Sequence, residues 1–159
     1  DVYKRQVYMD ENARRTCETY RNMIFAPLAD ALMAKGDTIR AKEILNLSLE
    51  AIHPGAVPHN YSSLPLIKSF YNAGDIAKAE EISVALIESG LSALRWYYRL
   101  DTSKFVSVIR EIELQLYIIS ELFEFNKAEG TLKEKYGAEF ETYEKEYMQL
   151  RSFMDRQQG

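Results

Sequence analysis

Apolar positions recur at helical spacing along most of the chain, and Gly36, Gly74 and Gly130 punctuate the pattern. Before Gly36, the residues Phe25, Leu28, Ala29 and Leu32 predict one helix. After it, Ala41, Ile44, Leu45 and Leu49 predict another. Around Gly74 the same arrangement returns, with Leu66, Ile67 and Phe70 before it and Ala79, Ile82, Leu86 and Ile87 after it. Glycine takes the left-handed conformation that ends a helix at no steric cost. The aspartate that follows each one, Asp37 and Asp75, is suited to cap the next helix. The breaker-rich segment 53–60, with Pro54, Gly55 and Pro58, predicts a loop. Pro27 and Pro65 predict either a kink or a helical first turn.

Two further helices follow. Asp101 or Thr102 is placed to cap a long helix running to about Lys127. Its stripe of Phe105, Val108, Ile109, Ile112, Leu116, Ile119 and Phe123 is widened by Leu114, Tyr117, Ile118 and Leu122. Such width fits a helix packed on two sides, or one with a face reserved for a partner. Arg110, Glu111, Glu113, Glu121 and Glu124 interrupt it too often for a membrane span. Beyond Gly130, Tyr136, Phe140, Tyr143, Tyr147, Leu150 and Met154 alternate by four and three, a packing seam that predicts a third hairpin with the preceding helix.

The segment 34–44 aligns without gaps to 72–82, with Gly, Asp, Ala, Glu and Ile coincident and Arg40 matched by Lys78. Gly36 and Gly74 stand 38 residues apart, so the chain reads as a repeated helical hairpin. Phe25, Leu28, Ala29, Leu32, Gly36 and Ala41, then Leu66, Phe70, Gly74 and Ala79, resemble the tetratricopeptide repeat. Ser63 stands where that pattern has its first aromatic, and the period exceeds the usual ~34 residues. The resemblance implies an all-α, tetratricopeptide-like stack of about six helices forming a short right-handed solenoid. Two hairpins would occupy residues 7–100, and a C-terminal hairpin over 101–159 would cap them. It further implies a concave groove lined by Met23, Asp30, Met33, Tyr61, Leu64, Lys68, Tyr71 and Asn72. Ala26 and Asp30 replace two members of the set that clamps a terminal carboxylate in some such repeats, which argues against capture of a peptide C-terminus.

Composition narrows the chemistry. With 159 residues, 47% hydrophobic and 28% charged, and only 7 Gly and 4 Pro, the chain is neither collagen-like nor disordered. A net charge of −4 gives no electrostatic footprint for nucleic acid. The single Cys17 excludes a disulfide framework and a multi-cysteine zinc module. His53 and His59 share a loop and read as loop histidines rather than ligands, since a structural zinc needs four donors. No phosphate-binding glycine loop or serine nucleophile elbow is present, and the many carboxylates lie where helices need solvation. No catalytic, cofactor-binding or metal-binding residue is therefore expected.

The opening Asp1-Val2-Tyr3-Lys4-Arg5-Gln6 matches the in-frame translation of a transposase adapter used in DNA sequencing, so residues 1–6 are read as a non-native scar. Val7-Tyr8-Met9-Asp10-Glu11-Asn12-Ala13-Arg14-Arg15, Tyr20-Arg21-Asn22-Met23, Asn60-Tyr61-Ser62-Ser63-Leu64-Pro65-Leu66 and Tyr71-Asn72-Ala73-Gly74-Asp75 follow. Together these resemble the C-terminal region of a family of bacterial multi-spanning membrane proteins of unknown function, similar to protein O-mannosyltransferase-type glycosyltransferases. The resemblance spans about residues 7–100, and Pro27 departs from the unbroken first helix it implies. It implies a noncatalytic domain on the periplasmic side of the inner membrane that presents an acceptor protein or holds an upstream membrane domain, without itself spanning the membrane. The alternative is a free-standing adaptor that binds a peptide or partner helix.

Overall fold

The computed structural model describes residues 10–158, and every regular element among them is helical. The expected scar at 1–6 and the start of the family resemblance, Val7 to Met9, lie outside the described residues. Six helices follow in order. Helix α1 covers residues 11–34, α-helical over Glu11–Tyr20 and Ala26–Ala34 and π-helical over Arg21–Phe25. Helices α2 (Thr38–Ala51) and α3 (Leu64–Asn72) come next, α3 being preceded by a 3-10 turn at Tyr61–Ser63. Then come α4 (Ile76–Tyr97), α5 (Thr102–Phe125) and α6 (Thr131–Gln158). Backbone contacts divide the chain into two compact units, the first ending at Asp75 and the second beginning at Ile76.

In the first unit, α1 packs on both α2 and α3, and α2 packs on α3. Small side chains make the approach possible: Ala26 and Ala29 of α1 and Ala41 of α2 are all buried. Leu45, Leu66, Ile67 and Phe70 fill the space around them. Truncating a buried Phe70 to alanine removes contacts worth ~3–5 kcal/mol.

Pro27 explains the π segment. A proline inside a helix has no N–H to donate, and its ring presses on the carbonyl four residues back. One wider turn relieves this, with the Ala26 N–H reaching back five residues to the Arg21 carbonyl. The helix is thereby neither broken nor started at Pro27. The extra residue also shifts the buried face: Arg21 is followed inward by Ala26 and Ala29. Leu28, expected in the core from its spacing, is left exposed, and Phe25 is only half-buried. Pro65 does sit in the first turn of α3.

The two glycine turns share one geometry. Gly36 has φ +77° and Gly74 has φ +75°. In each, the following aspartate N–H bonds across the turn, Asp37 to the Leu32 carbonyl at 2.9 Å and Asp75 to the Phe70 carbonyl at 3.0 Å. Asp37 also caps α2 as its position foretold, its Oδ1 accepting from the Arg40 N–H at 3.1 Å.

In the second unit, α4, α5 and α6 pack against one another in all three pairings. Two neighbours cover much of the α5 stripe, with Ile112, Leu116, Ile118, Ile119 and Leu122 all buried, while Tyr117 is left exposed. Gly90 of α4 lies under α5, where a Cβ would meet Ile119 Cδ1 at 3.2 Å. The α6 seam loosens along its length: Tyr136 and Phe140 are buried, whereas Tyr143, Tyr147, Leu150 and Met154 are half-buried. No helix among the described residues is long and apolar enough to cross a membrane.

Candidate docking surface

The loop between α2 and α3 is rich in carbonyls that no helix or sheet satisfies, and one side chain gathers them. Arg21, completely buried in the π segment, sends Nη2 to the Ile52 carbonyl at 3.1 Å and the Val57 carbonyl at 2.5 Å, and Nη1 to the Pro58 carbonyl at 3.2 Å. Ile52 is the C-terminal cap of α2, so the cation also meets the negative end of that helix. Burial pushes the guanidinium below its usual range, while the nearby Cys17 and Glu18 act in the opposite direction. Arginine remains protonated at neutral pH, and its planar fork suits several acceptors at once.

Polar groups continue the fastening. Asn60 Oδ1 accepts from the Ser62 N–H at 2.8 Å, which starts the 3-10 turn, and Asn60 Nδ2 donates to Glu18 Oε1 on α1 at 2.7 Å. His59 Nδ1 and Ser63 Oγ are hydrogen-bonded at 2.9 Å. His53 is exposed, its Nδ1 accepting the Gly55 N–H at 3.0 Å. Both loop histidines thus have local structural roles. Among the described residues no group of three His, Cys, Asp or Glu side chains is arranged to hold a metal ion.

This fastened turn rests against the π segment of α1. It brings together the segments carrying Tyr61, 54% exposed, and Met23, 69% exposed. Of the other residues expected in the groove, Asp30 is exposed and accepts a 2.8 Å hydrogen bond from Ser69 Oγ, tying α1 to α3. Lys68 and Asn72 are exposed on α3, and Met33 and Tyr71 are half-buried. Leu64 faces the core and offers nothing to a partner. Tyr20 and Ile24, which the spacing did not single out, and Leu28, which it placed in the core, add exposed apolar surface to the same stretch of α1. For Leu28 the π turn is the reason: it turns outward a side chain that regular helical spacing would have buried.

In the second unit, polar ties join the helices. Tyr136 donates to Glu88 Oε1 at 2.8 Å, and Tyr147 donates to Glu113 Oε1 at 2.6 Å beside Arg151. Arg95 binds Glu139 with two hydrogen bonds, Nε to Oε1 at 2.6 Å and Nη2 to Oε2 at 2.9 Å. The hydrogen bond from Arg95 holds the Glu139 carboxyl below its ordinary 4.5, burial opposing it and the arginine charge adding to it. A depressed carboxyl stabilises the fold above its unfolded value, and the contribution disappears as pH falls through the lowered one. Glu139→Gln is therefore expected to make the acid-side loss of helicity below pH 4.5 shallower, as followed by circular dichroism. An unchanged acid limb would rule this pair out as a contributor.

The chain matches no family model, no curated protein and no solved structure among known proteins.

Proposed function

We propose that the chain is a noncatalytic docking module, a tetratricopeptide-like right-handed stack of hairpins whose groove takes a protein or peptide segment. The observation that supports it best is the exposed apolar stretch of α1, Tyr20, Met23, Ile24 and Leu28, beside a turn that fixes Tyr61. Large apolar side chains gathered on segments held this firmly are what a partner-binding face requires. The family resemblance supplies the biological setting: a bacterial membrane glycosyltransferase-like protein, with this domain on the periplasmic side presenting acceptor protein or bracing a membrane domain encoded before Val7. In the adaptor alternative, the same surface binds a peptide or partner helix without that membrane domain.

Two measurements test this. Uncut sequencing of the gene before Val7 should reveal multiple apolar stretches of ~20 residues; further soluble repeats there would favour the adaptor and reject the membrane setting. Photo-cross-linking from benzoylphenylalanine placed at Met23 or Tyr61, in cells, should give one adduct of defined mass that is missing when the probe replaces the exposed Glu43 of α2. Met23→Asp with Tyr61→Asp should lower that adduct's partner in co-purification roughly tenfold while leaving thermal stability unchanged. Adducts from position 43 as abundant as those from 23 and 61 would reject the surface.

A further inference from the structure

A pocket of 270 Å³ in the second unit is lined by Tyr98, Phe105, Phe153, Leu150, Glu146 and Gln149. It lies where the chain leaves α4 and begins α5, against the C-terminal half of α6. We propose that this pocket binds a quaternary ammonium headgroup, with Tyr98, Phe105 and Phe153 as its aromatic walls and Glu146 as its counter-charge.

The walls are built rather than incidental. Tyr98 stacks on Tyr143 with ring centroids 5.2 Å apart and planes 18° from parallel. Its hydroxyl donates to the Tyr143 carbonyl at 3.0 Å, which fixes the ring's orientation. Phe105 meets it at 5.3 Å with planes 54° apart, so two of the lining rings pack on each other at an angle. Phe153, 51% exposed, closes a side from α6.

Charge selects the ligand. Glu146 is exposed and forms no ion pair among the described residues. Aromatic faces attract cations through their quadrupole, and an ammonium whose protons are replaced by methyl groups gives up less hydration on entering. The size agrees: 270 Å³ is below the ~300–1,000 Å³ that accommodates drug-sized ligands and suits a headgroup. A plain ammonium would keep its water, and a neutral apolar group would gain nothing from Glu146.

The test is a titration of the whole chain, followed by amide chemical shifts, with choline, tetramethylammonium, a trimethyl-lysine peptide, ammonium and neutral 3,3-dimethylbutanol at constant ionic strength. Choline, tetramethylammonium or the peptide should saturate with shifts confined to residues near 98, 105 and 146–153, and the tighter binder identifies the source of the headgroup. Binding should exceed that of 3,3-dimethylbutanol and ammonium at least fivefold. Phe153→Ala and Glu146→Gln, both at exposed α6 positions, should each weaken it about fivefold, the factor expected for a cation–π contact or a screened charge. Absence of saturation, equal binding of the neutral isostere, or affinity unmoved by both substitutions would overturn the proposal. Because the site is built from residues of the second unit and Met23 and Tyr61 belong to the first, its failure leaves the docking surface untouched.

Discussion

Arg21→Ala is expected to lower the stability of the first unit by about 3–5 kcal/mol, more than any substitution of an exposed residue. Three carbonyls, those of Ile52, Val57 and Pro58, accept from this one guanidinium. A hydrogen bond from a charged donor contributes ~1.5–3 kcal/mol, and each carbonyl left behind without water keeps its desolvation cost. The side chain is wholly buried, so alanine also leaves a cavity. Arg21→Lys should recover only part of the loss, because an ammonium on a flexible stem does not reproduce the fork that spans two separate acceptor groups. Calorimetry should show the first unit melting roughly 10 °C earlier or more. Hydrogen exchange should place the lost protection at the end of α2 and in the loop before α3. A loss under about 1 kcal/mol would mean that the loop holds its shape without the arginine, and that Tyr61 is fixed by Asn60 and Ser63 instead.

Most of the helix plan could be read from the chain because it depends on local chemistry. Gly36 and Gly74 are followed by aspartate and flanked by apolar stripes, and their positive φ angles follow from what only glycine does cheaply. The two faces of α5 were legible for the same reason, since a stripe too wide for one neighbour implies two. The register of α1 was not. Periodicity assumes 3.6 residues per turn, and the π turn at Arg21–Phe25 adds one residue, which exposes Leu28 and buries Ala26. Pro27 was the available signal: a proline in an apolar-periodic stretch offers a wide turn as well as a kink or a start. Arg21 itself gave no local sign of burial, because its acceptors come from residues 31 to 37 positions further on. The candidate surface was half-legible on the same grounds. Met23 and Tyr61 stand out as large apolar groups, whereas the inward turn of Leu64 is set by packing between α3 and its neighbours. The pocket at Tyr98 was hidden too, since its walls come from three segments that only the fold assembles.

In the second unit the largest effect is expected at Asn126, again a buried polar residue working at a distance. Gly130, with φ +72°, precedes α6 and has no side chain to cap it. Asn126, the residue that ends α5, performs that task from five positions before the helix begins: its Oδ1 accepts from the Leu132 N–H at 2.9 Å. Its Nδ2 donates to Glu80 Oε1 of α4 at 2.9 Å, and Thr131 Oγ1 also donates to Glu80 at 2.5 Å. One amide thus ends α5, starts α6 and fastens both to α4. Asn126→Ala should cost about 2–3 kcal/mol, a lost cap plus a buried N–H without its acceptor. Asn126→Asp separates the two halves of the role. It keeps the acceptor for Leu132 but turns the donor into a carboxylate facing Glu80, and like charges in a buried site raise the pKa of one of them. Stability contributed by the shared proton is present at low pH and is lost as pH rises through that raised value. The aspartate variant is therefore expected to approach wild-type stability near pH 4 and to match the alanine variant, or fall below it, at pH 7, as read by urea unfolding at the two pH values. Wild-type stability of the aspartate variant at both pH values would show that capping Leu132, rather than the bond to Glu80, carries the whole effect.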